Sequence, residues 1–304
     1  MIDLSINLAG IKLKNPTILA SGILGLDTAV LKRIVRGGAG AVTLKSLTSQ
    51  PRVGHNNPIL IEFEGGFMNA VGYANKGIEK GVEEFKQWDI DTPLIGSIVG
   101  ADVNEFAMLA EKIQQIPIKA LEIVLSCPHT PGYGLLAGQG SPKATLEITS
   151  AVRKKIKVPL FVKISPSIEA IGEVARAAES GGADAINMGN TLGPGMKIEI
   201  ERKSPILAFK IGGLSGPAIK PIMIRSVYDI YKSVKIPVIA TGGITTGEDV
   251  IEAIMAGATA CGIGTGIYYR GMNIFKKVTR EIENWMEKHN YKCLEEIRGI
   301  VHKI

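Results

Sequence analysis

Residues 237–266 read PVIATGGITTGEDVIEAIMAGATACGIGTG and contain one complete strand–helix–strand unit. The apolar runs at 237–243 and 260–266 are typical of buried parallel strands, because nearly every position is apolar or glycine. Between them, residues 248–256 carry apolar side chains at helical spacing, and the preceding Thr-Thr pair offers a helix cap. The stretch therefore predicts an α/β fold with a parallel sheet.

The same alternation of strand and helix runs along the rest of the chain. Residues 168–180, for example, again have apolar side chains at helical spacing. Eight β/α units without a composition break predict one domain, residues 1–304, folded as a parallel (β/α)8 TIM barrel. Residues 47–92 and 191–220 are longer than a helical return needs, so we expect extra loops or short strands there, on the C-terminal face of the barrel. The eight strand-like runs are 16–21, 40–46, 93–99, 120–126, 159–165, 184–190, 237–243 and 260–266.

Composition narrows the class of protein. The 304 residues, 45% of them hydrophobic, can bury a full core, and the net charge of +6 lacks the basic stripe with interleaved aromatics typical of nucleic-acid binding. Cys127, Cys261 and Cys293 have no metal-like spacing, and their odd number argues against a disulfide framework. The start, MIDLSINLAG, is unlike a signal peptide, and no run approaches the roughly 18 to 20 apolar residues that span a bilayer. We expect a cytoplasmic protein without a metal, a membrane segment or a nucleic-acid partner.

The ends of the predicted strands are polar or glycine. In a (β/α)8 barrel the active site lies at the C-terminal ends of the strands, where their residues meet at one rim. Because core positions would be apolar, this distribution predicts that the strand ends form a polar binding site and not part of the packed core. The strand-end residues are Ser21-Gly22, Lys45-Ser46, Ser126-Cys127, Lys163 with Ser165, Asn190-Thr191, Gly242-Gly243 and Gly264-Thr265-Gly266.

Two features of this rim predict an anionic cofactor. The glycines after the last two strands can bring bare N–H groups close to a phosphate, as loops there commonly do in this fold. Lys45 and Lys163 lie among apolar neighbours, so each is expected to face an anion. Flavin mononucleotide (FMN) has a phosphate and a ring that gains negative charge on reduction, and it would satisfy both features.

Cys127 has two interpretations. Most free cysteines are small core residues, but this one ends a strand among polar rim residues, and a thiol with a pKa lowered by cations can remove a carbon-bound proton. The loop that follows contains Tyr133 and several glycines, which is typical of a lid. Asn69 and Asn190 could bind a small polar ring or simply form turns.

Several motifs are similar to one family along nearly the whole chain. They resemble the flavin-dependent dihydroorotate dehydrogenases in their cytosolic, cysteine-base (class 1) branch, and they are most like the catalytic subunit of the NAD-linked type B enzymes. IGGLSGPAIKP is the most specific, since generic phosphate-binding barrels lack it. The motifs are KNPTILASG, TLKSLTSQPRVG, MNAVGYANKG, SCP, VKISP, GNT followed by GM, and IGGLSGPAIKP.

The resemblance implies a reaction and a role for each motif. In that family the cysteine takes a proton from C5 of dihydroorotate while a hydride passes from C6 to N5 of the flavin, which gives orotate for UMP synthesis. Cys127 would be the base. The pyrimidine would contact Lys45, Asn69, Ala70, Val71, Gly72, Tyr73, Asn190 and Thr191. FMN would contact Ser21, Lys45, Ser46, Ser97, Lys163, Gly189, Gly216, Gly242, Gly243, Gly264 and Thr265.

Three positions depart from the family pattern. Val124 and His129 stand where the family usually has asparagine, before and after the cysteine, and Ser167 replaces the asparagine that usually follows the VKISP-like motif. A lost amide costs roughly 1 to 3 kcal/mol if a ring group is left unpaired. The pyrimidine is therefore held differently here, or the substrate is another dihydropyrimidine.

The electron acceptor also has alternatives. Some enzymes of this branch are fumarate-linked homodimers, whereas others pair with a subunit that carries FAD and an iron–sulfur cluster and reduce NAD. This chain lacks a cysteine cluster and a dinucleotide fingerprint, so NAD would need such a partner. We expect a homodimer that joins an electron-transfer subunit in a heterotetramer.

A third possibility for the function, beside oxidation of dihydroorotate or of another dihydropyrimidine, is a non-redox barrel that binds flavin or phosphate.

Overall fold

The computed structural model of the chain describes residues 2–126, 132 and 134–303. It begins with an antiparallel hairpin of strands β1 (Ile6–Leu8) and β2 (Ile11–Leu13). Leu8 and Leu13 in this hairpin are buried in the main core.

Eight parallel strands of the described residues close into a barrel. Neighbours in the barrel follow chain order, and the last strand pairs with the first through Gly262 and Ile18. Most positions in these strands are buried, in agreement with their apolar runs. The predicted (β/α)8 barrel is thus confirmed. Its strands are β3 (Thr17–Leu19), β4 (Ala41–Thr43), β7 (Leu94–Ile98), β8 (Ala120–Val124), β9 (Leu160–Ile164), β10 (Ala185–Met188), β15 (Val238–Thr241) and β16 (Ala260–Ile263).

Helices of the described part of the chain follow the barrel strands, and the last two of them both come after β16. Their apolar faces pack on the strands, so that the main core fills the space between the helices and the barrel. They are α1 (Thr28–Arg36), α2 (Gly77–Phe85), α3 (Val103–Lys112), α4 (Pro142–Arg153), α5 (Ile171–Ser180), α6 (Lys220–Ser233), α7 (Gly247–Met255), α8 (Gly266–Arg270) and α9 (Ile274–Lys288).

Helix α7 shows how the predicted cap is made. The N–H of Asp249 donates to Thr246 Oγ1 at 3.3 Å, and the N–H of Thr246 donates to Asp249 Oδ2 at 2.8 Å, which forms a capping box. Thr245 adds two more hydrogen bonds to Asp249 Oδ2, from its N–H and its hydroxyl. One aspartate therefore fixes the whole turn between β15 and α7.

The two long segments contain the extra strands that the sequence predicts. Strands β5 (Leu60–Phe63), β6 (Gly66–Asn69), β11 (Leu192–Gly195) and β14 (Gly212–Ser215) form an antiparallel sheet in the order β11-β14-β6-β5, which we call the capping sheet. Strands β12 (Ile198–Glu199) and β13 (Ser204–Pro205) form a separate hairpin. A small second core of Met68, Ala70 and Leu207 supports the capping sheet.

Within the described residues, no helix has both the length and the apolar character needed to cross a bilayer.

Candidate active site at the carboxyl rim of the barrel

A cavity of about 380 Å³ opens between the carboxyl ends of the barrel strands and the capping sheet. It brings together most of the residues that the sequence predicts for a site, although these lie far apart along the chain. Phe67 and Ser215 of the capping sheet complete its wall. The predicted residues that line it are Ser21, Lys45, Ser46, Asn69, Val71, Gly72, Tyr73, Lys163, Gly189, Asn190, Thr191, Gly216, Gly242, Gly243, Gly264 and Thr265.

Two predicted residues do not line the cavity, and a third lies outside the described residues. Ala70 does not line the cavity, because its side chain is buried in the second core beside Met68. Ser97 lies beneath the cavity, where its Oγ is 2.9 Å from Ser46 Oγ. Cys127, the predicted base, lies outside the described residues, as do His129 and Tyr133.

The glycine loops form a cradle suited to an anion. Gly216, Gly242 and Gly243 all have positive φ angles, of 97°, 149° and 75°, which favour glycine. A Cβ on Gly243 would lie 2.7 Å from the Cβ of Lys220, so the loop packs directly on the start of α6. This geometry fits the phosphate site that the sequence predicts, with main-chain N–H groups as the donors.

Ion pairs stabilise the loop between β15 and α7, which contains Gly242 and Gly243. Asp249 Oδ1 accepts a hydrogen bond from Lys220 Nζ at 2.8 Å. Burial works to raise the pKa of Asp249, but the hydrogen bonds from Lys220, Thr245 and Thr246 outweigh it and lower that pKa. The loop between β15 and α7 is therefore held by a carboxylate that stays ionised well into the acid range.

A second pair acts on the other side of the same loop. Glu281 of α9 accepts a hydrogen bond from the N–H of Gly247 at 2.7 Å and pairs with Arg270, whose Nη1 also donates to the carbonyl oxygen of Thr245 at 2.8 Å. The hydrogen bond from Arg270 lowers the pKa of Glu281 more than burial raises it. The loop is thus fixed by two ion pairs where it enters α7.

Two buried ammonium groups face the cavity. Lys45 is 8% exposed and donates to the carbonyl oxygen of Gly22 at 2.8 Å. Lys163 is 4% exposed and donates to Ser21 Oγ at 3.0 Å. Cations at these positions fit a ring that becomes more negative on reduction, as the sequence predicts for FMN.

Lys163 has a carboxylate neighbour that the sequence analysis missed. Glu122 of β8 lies with its Oε1 atom 4.0 Å from Lys163 Nζ, and it belongs to a polar network inside the barrel with Asn187 and Thr241. The signal was a charged residue in the middle of the apolar run ALEIVLS. An anion for Lys163 is thus already supplied by the protein, whereas we expected it from the cofactor.

The predicted substrate residues line one side of the cavity. Asn190 Nδ2 donates to Ser126 Oγ at 2.9 Å, and Asn190 Oδ1 accepts the N–H of Thr191 at 2.8 Å. Among the residues that the structure describes, the buried Thr191 Oγ1 has no hydrogen-bond partner, and it lies against Gly213. Asn69 is held through Nδ2, 3.4 Å from the carbonyl oxygen of Gly213.

Two of the departures from the family pattern can be located. Val124 lines the cavity with an apolar side chain that is 2% exposed. Ser167 does not line it, because its hydroxyl is hydrogen-bonded to both the carbonyl oxygen and the N–H of Gly193. The structure therefore shows no amide in place of the missing ones at these two positions.

The fold and the cavity define a (β/α)8 barrel whose carboxyl rim combines a glycine cradle, two buried lysines and a set of amides. A family model described as dihydroorotate dehydrogenase matches residues 3–286. The chain belongs to the dihydroorotate dehydrogenase family, and its predicted nature as an enzyme of that family is confirmed.

Curated relatives show which members of the family this chain is similar to. The chain is 46% identical over 305 residues to the "Dihydroorotate dehydrogenase B (NAD(+)), catalytic subunit" of Methanocaldococcus jannaschii, with 99% of this chain and 98% of the relative covered. The proteins of the same name from Pyrococcus abyssi (43%; 99% and 100% covered) and Methanothermobacter thermautotrophicus (42%; 98% and 98% covered) are also similar. The predicted likeness to the type B catalytic subunit is confirmed.

A solved structure supports the fold. The crystal structure of a DHODH from Eimeria tenella in complex with ferulenol has a TM-score of 0.85 and covers 99% of this chain and 89% of its own. Its sequence identity of 22% limits the comparison to architecture.

Proposed function

We propose that this chain, as one FMN-binding domain of residues 1–304, oxidises dihydroorotate to orotate in pyrimidine (UMP) biosynthesis. The observation that carries the proposal is one cavity in which the glycine cradle lies beside two buried lysines, Lys45 and Lys163, in a chain that is 46% identical to a catalytic subunit of that name. When bound, FMN supplies the acceptor for the hydride that leaves C6 of dihydroorotate.

The residues of this chain bind the two molecules and move the proton. Gly216, Gly242, Gly243, Gly264 and Thr265 are proposed to hold the phosphate. Lys163, Ser21 and Ser46 are proposed to bind the ring system, with Lys45 shared between the ring and the substrate. The Cys127 thiolate takes the proton from C5, so that loss of this proton and of the hydride from C6 leaves the C5=C6 double bond of orotate.

The substrate is proposed to bind to the wall of the cavity that carries the two asparagines, Asn69 and Asn190. Asn69 and Asn190 offer amide groups, Thr191 lies beside them in the wall, and Val71 to Tyr73 enclose the ring. Val124 removes one expected amide, which favours a second candidate: an FMN enzyme that acts on a dihydropyrimidine without the carboxylate.

Electrons are proposed to pass from FMN to NAD through a partner subunit with FAD and an iron–sulfur cluster, in a heterotetramer built on a homodimer. The names of the curated relatives support this proposal. The fumarate-linked homodimer is its alternative. Turnover with fumarate by a preparation without an FAD- or iron-bearing chain would favour that alternative.

Anaerobic stopped-flow absorbance tests the reaction. The purified protein is mixed with dihydroorotate while the oxidised flavin band is followed, and rapid bleaching is expected. A flavin that dithionite reduces but dihydroorotate does not would contradict the proposal, and bleaching by dihydrouracil would then support the second candidate. A colourless preparation that does not take up added FMN would refute both.

A further inference from the structure

A buried carboxylate lies one layer below the cavity floor. Glu122 is 2% exposed and does not line the cavity, yet its two oxygens are both hydrogen-bonded. Oε1 accepts from Ser21 Oγ at 2.6 Å, and Oε2 accepts from Asn187 Nδ2 at 2.5 Å. Asn187 is in turn fixed by Thr241, whose Oγ1 donates to Asn187 Oδ1 at 2.8 Å. The network leaves Glu122 one orientation inside the barrel.

This carboxylate is connected to a cavity lysine in two ways. Lys163 Nζ lies 4.0 Å from Glu122 Oε1, and it donates to Ser21 Oγ at 3.0 Å, which itself donates to Glu122. Both charged side chains are almost completely buried, at 5% and 2% exposure. A buried ammonium without a nearby anion either loses its charge or moves toward solvent, because its desolvation is not compensated.

We infer that Glu122 is a positioning residue that, through Ser21, keeps the Lys163 ammonium directed into the cavity. This inference rests on the proposed function, because it assigns Glu122 to the lysine that would stabilise reduced FMN. Lys163 and Ser21 line the cavity, whereas Glu122 does not line it and acts on it through its hydrogen-bond partners. The expected effect is therefore on the reduction potential of FMN rather than on direct contact with substrate.

The midpoint potential of bound FMN, measured by anaerobic dithionite titration with a reference dye, tests this role without turnover. Lys163→Ala removes the cation and is expected to make the potential more negative, since reduced flavin loses a stabilising charge. Glu122→Gln should move the potential in the same direction, by at least about half of the Lys163→Ala shift, and the double variant should equal Lys163→Ala alone. Far-UV circular dichroism confirms folding of each variant.

Glu84→Gln is the matched control. Glu84 on α2 is a half-buried glutamate whose Oε1 accepts the N–H of Thr28 at 2.9 Å, remote from the cavity. The midpoint potential of FMN bound to the Glu84→Gln variant should equal that in the unaltered protein. If Glu122→Gln does not fold, Glu122→Asp replaces it, because a shorter carboxylate cannot reach both Ser21 and Asn187. Its potential should then fall between those of the unaltered protein and Lys163→Ala.

The contrary outcomes are distinct. An unchanged potential in the folded Glu122 variant, or a shift that adds fully to that of Lys163→Ala, would overturn the role of Glu122 while leaving the proposed function intact. A potential more positive than that of the unaltered protein would show that Glu122 acts on the ring as a bare negative charge, and would overturn it too. A protein that binds no FMN would refute the proposed function, and the inference with it.

Discussion

Ser167 Oγ donates to the carbonyl oxygen of Gly193 at 2.9 Å and accepts the N–H of the same residue at 3.2 Å. The segment after β9 is thereby joined at two atoms to the segment after β10, two residues beyond Thr191. At a position where the family pattern has an asparagine, this chain has a serine that is bonded to strand β11 of the capping sheet. Its contribution to substrate binding is therefore expected to be indirect.

Ser167→Ala should weaken binding of orotate modestly. Both hydrogen bonds are exposed, so their loss is worth about 1 kcal/mol or less and should raise the dissociation constant about two- to fivefold. Perturbation of the flavin spectrum by orotate measures it. Ser233→Ala, which removes a hydroxyl bonded to the carbonyl oxygen of Asp229 on α6, is the control and should have no effect. A loss of more than about a hundredfold would mean that Ser167 contacts the ring itself.

Gly243→Ala should abolish tight binding of FMN. The residue has φ 75°, and its new Cβ would lie 2.7 to 3.0 Å from atoms of Lys220, so the loop must move. Flavin fluorescence quenching should show at least about a tenfold increase in the dissociation constant. Gly10→Ala is the control, because it introduces backbone strain without a steric clash. Gly10 has φ 86°, and nothing lies within 4 Å of a Cβ built on it. It should lose about 1 to 2 kcal/mol of stability and keep FMN affinity. Equal affinity in both variants would argue against the cradle.

Asp249→Asn should lower the free energy of unfolding by about 1 to 3 kcal/mol at neutral pH, because the carboxylate accepts bonds from Lys220, Thr245 and Thr246. The pKa of Asp249 is lowered in the folded protein, so its stabilisation is fully present above the unfolded value of about 3.9 and is lost as the pH falls through the folded value. Urea unfolding at several pH values should show the difference shrinking only below about pH 4. A difference that already declines near neutrality would contradict this assignment.

Cys261 should resist alkylation in the folded protein. It is fully buried in β16, and burial, with a smaller contribution from Asp249, raises the pKa of its thiol far above the usual range. Peptide mapping after iodoacetamide treatment should find Cys261 unmodified in buffer and modified in urea. Any loss of flavin reduction during native alkylation can then be attributed to another cysteine. Modification of Cys261 at similar rates in both conditions would refute this.

The barrel could be predicted from sequence because each of its strands carries its own signal. The apolar runs at 160–164 and 260–263, for example, end in glycine or polar residues, and parallel strands place those ends at one rim whatever the details of packing. Most rim residues were found by this reasoning, from Ser21 to Thr265. Local patterns were sufficient there.

Glu122 and Asn187 were missed for a physical reason. Strands buried on both faces show no alternation, so the sequence does not tell which side chains point into the barrel and meet across it. The order of the capping sheet was likewise out of reach, because Met68 pairs with Leu214 across a long separation in sequence. Extra strands could be expected from segment lengths, but not their partners.

The register of the capping sheet also bears on the order of folding. Because β6 and β14 come from opposite halves of the chain, the roof of the cavity depends on non-local contacts, and we expect it to form after the local β/α units. The wall made by Phe67, Asn69 and Ser215 depends on this non-local pairing. Cofactor uptake during refolding would therefore report completion of the native topology, and flavin quenching should lag behind the recovery of helical circular dichroism.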